Sequence, residues 1–304
     1  MMYWLRFAMV CASVFILLYA SFSLLLSLAW SLIQRHRLIQ SADALFTLRI
    51  LPAASAVIVL ALAVAPSFWE LEPASAGEWI GGWAVLLSLA WFAWAAVRGA
   101  HLIRAWRQTA GIFKRAVSRK LDDAPVAVYE IEDARANLFI AGIVKPRLLI
   151  SRGALELLDA DELRAAIRHE LAHTNAGDNL KQILVRLCNF PFLASLDNEW
   201  LRAAEISADD RSVNDALMAA DLASALIKVG TSSATLAPLG MSLIPTMETP
   251  ISDRVRRLLN WESSQRRPLL HLVAGVLVVQ SAAVAASLPW LIPQMHRFTE
   301  LLFQ

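Results

Sequence analysis

Four stretches of this 304-residue chain contain no Lys, Arg, Asp or Glu: residues 7–34, 50–69, 79–97 and 268–296. A helix needs about 20 apolar residues to cross the hydrocarbon core of a bilayer, and each stretch is long enough or nearly so. With 57 % hydrophobic residues the composition is also richer than that of an ordinary soluble domain. The sequence therefore predicts four transmembrane helices, the second and third forming a tight pair. The first is too long for a cleavable signal peptide and has no small-residue cleavage site after it. The net charge of +2 says little, but the placement of the charges says more. Arg35, Arg37 and Arg49 lie between the first two spans, and only Glu70, Glu72 and Glu78 between the second and third. Arg98, Arg104, Arg107, Lys114, Arg115, Arg119 and Lys120 follow before the first acid, Asp122. The positive-inside rule then places the first loop and everything between the third and fourth spans in the cytoplasm, with both termini outside; Arg6 opposes this but is outnumbered. Trp69, Trp79 and Trp290 stand near span ends, where interfacial anchors belong.

This pattern divides the chain into three parts: 1–97 with three spans, a cytoplasmic domain at 98–267, and 268–304 with the fourth span and a short tail. The region 98–267 has the size of one domain. Residues 98–120 read as a basic helix leaving the membrane, its charges marking topology and touching anionic lipid heads. No nucleic-acid recognition motif accompanies them, so direct nucleic-acid binding is not expected. Residues 126–129, 137–142 and 146–151 are β-prone and predict a small sheet, whose edge can pair with an extended peptide. Further on, Leu180, Ile183, Leu184 and Leu187 read as a core stripe, 197–230 as two helices, and 231–250 as a loop flanking the cleft. The two cysteines, Cys11 and Cys188, fall in different compartments and make no disulfide framework.

The chemistry is concentrated in His169-Glu170-Leu171-Ala172-His173, an H-E-x-x-H motif. On a helix the two imidazoles leave the same face and can take two corners of a zinc tetrahedron, with Glu170 between them as general base. The helix is well marked: Asp159-Ala160-Asp161-Glu162 is a capping-box pattern, Leu163, Ile167 and Leu171 recur every four residues, and Gly177 supplies a stop. The third ligand follows by elimination. The other histidines, His36, His101, His271 and His296, do not follow closely after the motif, so a carboxylate must serve. Glu205 is the best candidate, and Asp209, one turn later, suits a carboxylate that holds a ligating ring from behind. Arg254 and Asn137 are candidate oxyanion or substrate contacts. The expected cofactor is one zinc ion per chain.

Over nearly its whole length the chain resembles the BlaR/MecR-type membrane zinc metallopeptidases, the antirepressor family of bacterial regulators. The resemblance rests on His169 to His173, Asp178, Asn189-Phe190-Pro191, and Glu205 with Asp209. It implies a mainly α fold, with four transmembrane helices and an inserted α+β gluzincin-type domain. It also implies a multi-pass protein of the bacterial inner membrane that cleaves a cytosolic transcriptional repressor, or itself, at the cytoplasmic face. The β-lactam sensors of that family carry a penicillin-binding domain after the last span. Only a short tail follows here, so β-lactam sensing is not expected. Sensing then falls to the spans, the acidic loop or a membrane partner. Gln280 and His271 are polar positions in the fourth span that can meet such a partner or another span. The HtpX and prenyl-protein (CAAX) type proteases share H-E-x-x-H and a later E-x-x-x-D, and have a histidine-proline segment before an arginine helix. Here Glu248-Thr249-Pro250 precedes Asp253-Arg254, without the histidine. Two alternatives accompany the signalling reading: a quality-control protease of the HtpX kind, and a non-proteolytic relay with a structural zinc, against which Glu170 speaks.

Overall fold

The computed structural model describes residues 2–36, 39–71, 81–121, 125–188, 191–232, 251–261 and 270–303. Arg37, Glu72, Glu78, Trp79, Asp122, Asn189, Phe190, the loop residues 233–250 with Glu248-Thr249-Pro250, and the side chain of His271 lie outside the described residues. In chain order the elements are α1 (Met2–Ile33), α2 (Ala42–Val59), one π-helical segment (Leu60–Val64), α3 (Ala65–Leu71) and α4 (Gly82–Arg115). The strands β1 (Val117–Arg119), β2 (Ala127–Ile131), β3 (Leu138–Ala141) and β4 (Arg147–Ser151) follow. Then come α5 (Arg152–Leu157), α6 (Ala160–Ala176), α7 (Asp178–Leu187), α8 (Ala194–Ser212), α9 (Ala216–Ser232), α10 (Ile251–Leu259) and α11 (Leu270–Phe303). They group into two compact units: Met1–Gly99 with Val185–Asp197 and Pro268–Gln304, and Ala100–Leu184 with Asn198–Arg267.

Three helices among the described residues are long and apolar enough to cross a membrane: Tyr3–Ile33 and Ala42–Leu71 in the first unit, and Gly82–Arg115, whose residues from Ala100 on belong to the second. The second of these helices begins well before the charge-free run. Arg49, expected in a cytoplasmic loop, instead lies inside α2 and is fully buried, with its charge met by Asp197. Counting uncharged residues ended the span at Arg49 because a sequence count cannot see the partner. The third apolar run and the basic stretch after it form one continuous helix, α4. α11 covers the fourth run and contains Pro289 and Pro293. Polar contacts join the helices: Ser13 donates to the carbonyl of Ala84 at 2.8 Å, and Gln280 Nε2 to Ser55 Oγ at 2.5 Å. Gln280 thus meets a neighbouring helix of its own unit.

The second unit is built on a four-stranded sheet of order β1-β2-β4-β3, with β2 and β4 parallel and the outer pairings antiparallel. Val128, Ile140, Leu148 and Ile150 from three strands pack with Ala154 and with Ile167 of α6 to make its core. β1 falls where the sequence predicts helix. Its three residues are all exposed, so no burial alternation announces it, and only pairing with β2 makes it a strand. Gly153 is required by a close approach: a Cβ there would stand 2.1 Å from the carbonyl oxygen of Ala134. The stripe expected to be buried on α7 is not a core stripe, since Leu180 and Leu187 are exposed. Helical spacing shows only that the apolar side chains share a face, not that something covers it.

Candidate metal centre

α6 forms as its sequence predicts. The Asp159 carboxylate accepts from the N–H groups of Asp161 and Glu162, each at 3.0 Å, while Glu162 accepts from the N–H of Asp159 at 3.0 Å. That reciprocal cap satisfies donors the first turn would otherwise leave free. Glu162 also accepts from Ser224 and Lys228 of α9, each at 2.6 Å, which fixes the start of the helix to its neighbour. At the other end Gly177 adopts φ 72°, a left-handed conformation that suits glycine, and its N–H closes onto His173 and Thr174. The chain re-enters a helix at once with Asp178, so the residue after the turn folds back beside the last turn of α6.

Helical spacing brings His169 and His173 together, with their Nε2 atoms 3.2 Å apart and their rings at 88°. Glu205 of α8 reaches both, Oε2 lying 3.6 Å from His169 Nε2 and Oε1 3.5 Å from His173 Nε2. Donor atoms of the three residues all lie within 4.8 Å of one another. Ligands about 2.0–2.1 Å from a tetrahedral zinc stand roughly 3.3–3.5 Å apart, so the donor set fits that ion. The ring nitrogens point the right way for it. His173 Nδ1 is 2.8 Å from Asp178 Oδ2, and His169 Nδ1 lies 3.1 Å from Asp209 Oδ1, although off the line of a good hydrogen bond. Carboxylates behind both rings favour a proton on each Nδ1 and leave the Nε2 lone pairs converging.

A guanidinium completes the cluster. Arg254 of α10 donates from Nε to Asp209 Oδ2 at 2.9 Å and from Nη2 to Asp209 Oδ1 at 2.6 Å, while Nη1 lies 2.8 Å from Glu205 Oε2. Its Nη2 is also 3.4 Å from His169 Nε2. Arg254 is buried and tied to the two carboxylates of α8, so it holds Glu205 and Asp209 in place. Glu170 projects beside the histidines, and its Oε2 accepts from the N–H of Ile140 on β3 at 3.3 Å.

The electrostatics follow from these contacts. Burial pulls the His169 pKa down, but the carboxylates of Asp209 and Glu205 outweigh it and raise the value to about 10. For His173 the same opposition, with Asp178 and Glu205 prevailing, leaves the pKa raised. Burial raises the Glu170 carboxyl above its usual range against the lowering pull of His169 and His173. For Glu205 burial works upward, yet the hydrogen bond with His169 and the charges of Arg254 and His173 hold it well below the usual carboxylate range. Asp209 is lowered in the same way by His169 and Arg254. Protons and a metal ion compete for the same Nε2 lone pairs, so metal affinity at this cluster depends on pH.

Of the residues singled out in the sequence, His169, Glu170, His173, Glu205, Asp209 and Arg254 meet here. Asn137 does not join them: its side chain donates to Asp133 Oδ2 at 3.3 Å and its N–H to Ser151 Oγ at 2.8 Å, at the turn before β3. Asp178 was legible as a motif position, but its role behind His173 needed the turn at Gly177. Asn179 had no sequence signal. Its side-chain amide donates to the carbonyls of Ile140 and Gly142, at 3.3 and 3.1 Å, on the outer edge of β3. The sheet edge proposed to take a peptide is thus already engaged at Ile140, by Glu170 on one side and Asn179 on the other.

Two histidines and a carboxylate converge from two helices as a group that could hold a metal ion, and two nitrogens with one oxygen suit zinc. Residues 105–227 match Peptidase family M48, a span that holds the sheet, both histidines, Glu170, Glu205 and Asp209. No curated protein matches the chain. The matched segment is similar to that metallopeptidase family, and three helices among the described residues are long and apolar enough to cross a membrane. The match does not extend to the BlaR/MecR type in particular.

Proposed function

We propose that the protein is a membrane-embedded zinc endopeptidase whose 98–267 domain works at the cytoplasmic face, with α11 as a fourth span, and which acts in signalling by cleaving a cytosolic repressor or itself. The convergence of His169, His173 and Glu205 within 4.8 Å carries this reading. His169, His173 and Glu205 would hold the zinc, which when bound supplies Lewis acidity that acidifies water and polarises a peptide carbonyl. Asp178 and Asp209 orient the two rings, and Arg254 keeps Glu205 and Asp209 from repelling each other. Glu170 is the general base: burial raises its proton affinity, so it can take a proton from water and return it to the departing amine. An extended peptide pairing with Ile140 on the outer edge of β3 would replace Asn179 at its carbonyl and Glu170 at its N–H, freeing the Glu170 carboxylate.

One observation favours a second reading, a quality-control protease of the HtpX kind. Arg254, which stands where those proteases have an arginine helix, is bound to Glu205 and Asp209. The chemistry is the same and the substrate range is broader. Both readings are tested by zinc content and self-cleavage of the purified full chain in detergent, wild type beside Glu170→Gln. Zinc in both with a fragment only from wild type supports a peptidase. Zinc in both and equal cleavage removes Glu170 from its role, and no zinc in either removes the site. A panel of misfolded membrane proteins and candidate repressors then separates the two substrate classes.

A further inference from the structure

The first unit holds a piece of chain that the sequence puts in the cytoplasmic domain. Residues 187–196 contain no Lys, Arg, Asp or Glu and stand between Arg186 and Asp197. A run of about ten such residues is too short to cross a bilayer; it fits a buried core piece or a segment that dips into the membrane and returns. The structure groups Val185–Asp197 with the apolar helices of the first unit. Cys188, directly after α7, packs against Tyr19 of α1 and Ala53 and Ala56 of α2, in a cluster that also takes in Trp94 of α4.

The backbone of this segment is satisfied by the first two apolar helices. The carbonyl of Cys188 accepts from the Tyr19 hydroxyl and from Arg49 Nη2, the latter at 2.8 Å. Ser27, about two turns beyond Tyr19 on α1, donates at 2.9 Å to the carbonyl of Phe192, which lies in the 3-10 turn Pro191–Leu193. Tyr19 stands midway along the apolar helix Tyr3–Ile33. In water such carbonyls need no protein donor, whereas irregular backbone is found at membrane depth only where protein satisfies it. The acid that closes the run is neutralised in the same manner: Asp197, with 7 % of its side chain exposed, pairs with the fully buried Arg49. The apolar side chains divide between two sides. Val185, Leu193 and Leu196 are buried, whereas Leu187 is 36 % and Phe192 54 % exposed.

We propose that Leu187–Cys188 and Phe192–Leu196 lie within the bilayer as a membrane-dipping element, held to α1 and α2 by Tyr19, Ser27 and Arg49, with Leu187 and Phe192 turned to lipid acyl chains. The occupant of that exposed side follows from its surroundings. The donors beneath it sit on helices whose own outer side chains, Leu24, Leu25 and Leu28 among them, are exposed apolar surface of the kind that meets a membrane. Arg186, at the edge of the run, has a stem long enough for its guanidinium to reach the headgroups. The inference rests on the membrane-embedded reading and is independent of the zinc site.

The test uses the full chain with Cys11→Ala and Cys188→Ala, reconstituted in vesicles of phosphatidylethanolamine and phosphatidylglycerol. Nitroxide labels are attached at Leu187→Cys, at Phe192→Cys and, as a reference on α1, at Leu25→Cys. Power-saturation spectroscopy compares collisions with oxygen, which partitions into acyl chains, against collisions with a water-soluble nickel chelate. Oxygen is expected to dominate several-fold at all three positions. Nickel dominating at 187 or 192 while oxygen dominates at 25 overturns the inference alone; nickel dominating at 25 as well overturns the membrane reading with it. A label at 187 or 192 that neither reagent reaches is covered by protein, such as a second copy of the chain, and also overturns the inference. Tyr19→Phe combined with Ser27→Ala is expected to shift the label at 192 toward nickel, and no shift overturns the role given to the two hydroxyls. If a labelled variant elutes as aggregate on gel filtration, the wild-type chain decides, crosslinked by a phospholipid with a diazirine in its acyl chain: adducts on Leu187 or Phe192 support the inference, and adducts on α1 but on neither of these overturn it.

Discussion

Replacing Arg254 by Met keeps much of the side-chain volume and removes the guanidinium that Glu205 and Asp209 share. Asp209 is 1 % exposed, so water cannot take over its solvation. Both oxygens of its carboxylate lose a charged donor, at 2.9 and 2.6 Å, and Glu205 loses one at 2.8 Å. Removing one partner of a buried pair costs about 3–5 kcal/mol, because the other charge stays buried and uncompensated. For a domain of this size that corresponds to a fall in unfolding temperature on the order of 10 °C. The assay is thermal unfolding of the full chain in detergent, followed by circular dichroism after chelation. Added zinc should recover part of the loss, since positive charge returns to the carboxylates. Adding Asp209→Leu to Arg254→Met should recover more, because an apolar pair removes the unpaired charge. An Arg254→Met protein that unfolds at the wild-type temperature without zinc would refute the assignment of Arg254 as the balancing charge.

Other outcomes follow from the same contacts. Asp178→Asn preserves shape but removes the charge behind His173, and zinc affinity should fall about 10- to 100-fold by equilibrium dialysis, or roughly 1.4–2.8 kcal/mol. Glu162 gives a pH signature. Burial raises its pKa, but hydrogen bonds from Lys228, Ser224 and the Asp159 N–H prevail and leave it below the ordinary 4.5. A lowered folded-state pKa contributes stability above the unfolded value that is lost as pH falls through the folded one. Wild type should therefore lose stability below pH about 4.5 more steeply than Glu162→Gln, as read by unfolding temperature across pH 3–6.

The H-E-x-x-H helix was legible because its information is local. Four-residue spacing puts His169 and His173 on one face whatever surrounds them, and the residues of the cap and stop, Asp159, Glu162 and Gly177, act within a single turn. Glu205 was reachable by elimination, since the other histidines stand far from the motif. Asn137 is tied to Asp133, and nothing local distinguishes a polar residue held in that way from one facing a cleft. β1 escaped because its three residues carry no burial pattern, and the α7 stripe looked like core because periodicity records a shared face but not its cover. Arg49 was assigned to a loop because a lone arginine interrupts a hydropathy count, while its partner is far along the chain at Asp197.

Alone, the sequence determined the apolar runs, the motif helix with its ends, and the donor types a zinc ion prefers. These depend on residue spacing and side-chain chemistry within a few turns of backbone. Only the tertiary structure decided that Asp178 and Asp209 stand behind the two histidines, that Arg254 binds the carboxylates of α8, and that Arg49 of α2 meets Asp197. Each joins groups on different elements, and the direction of a side chain across such a gap is set by how the helices and the sheet pack, which no local pattern encodes.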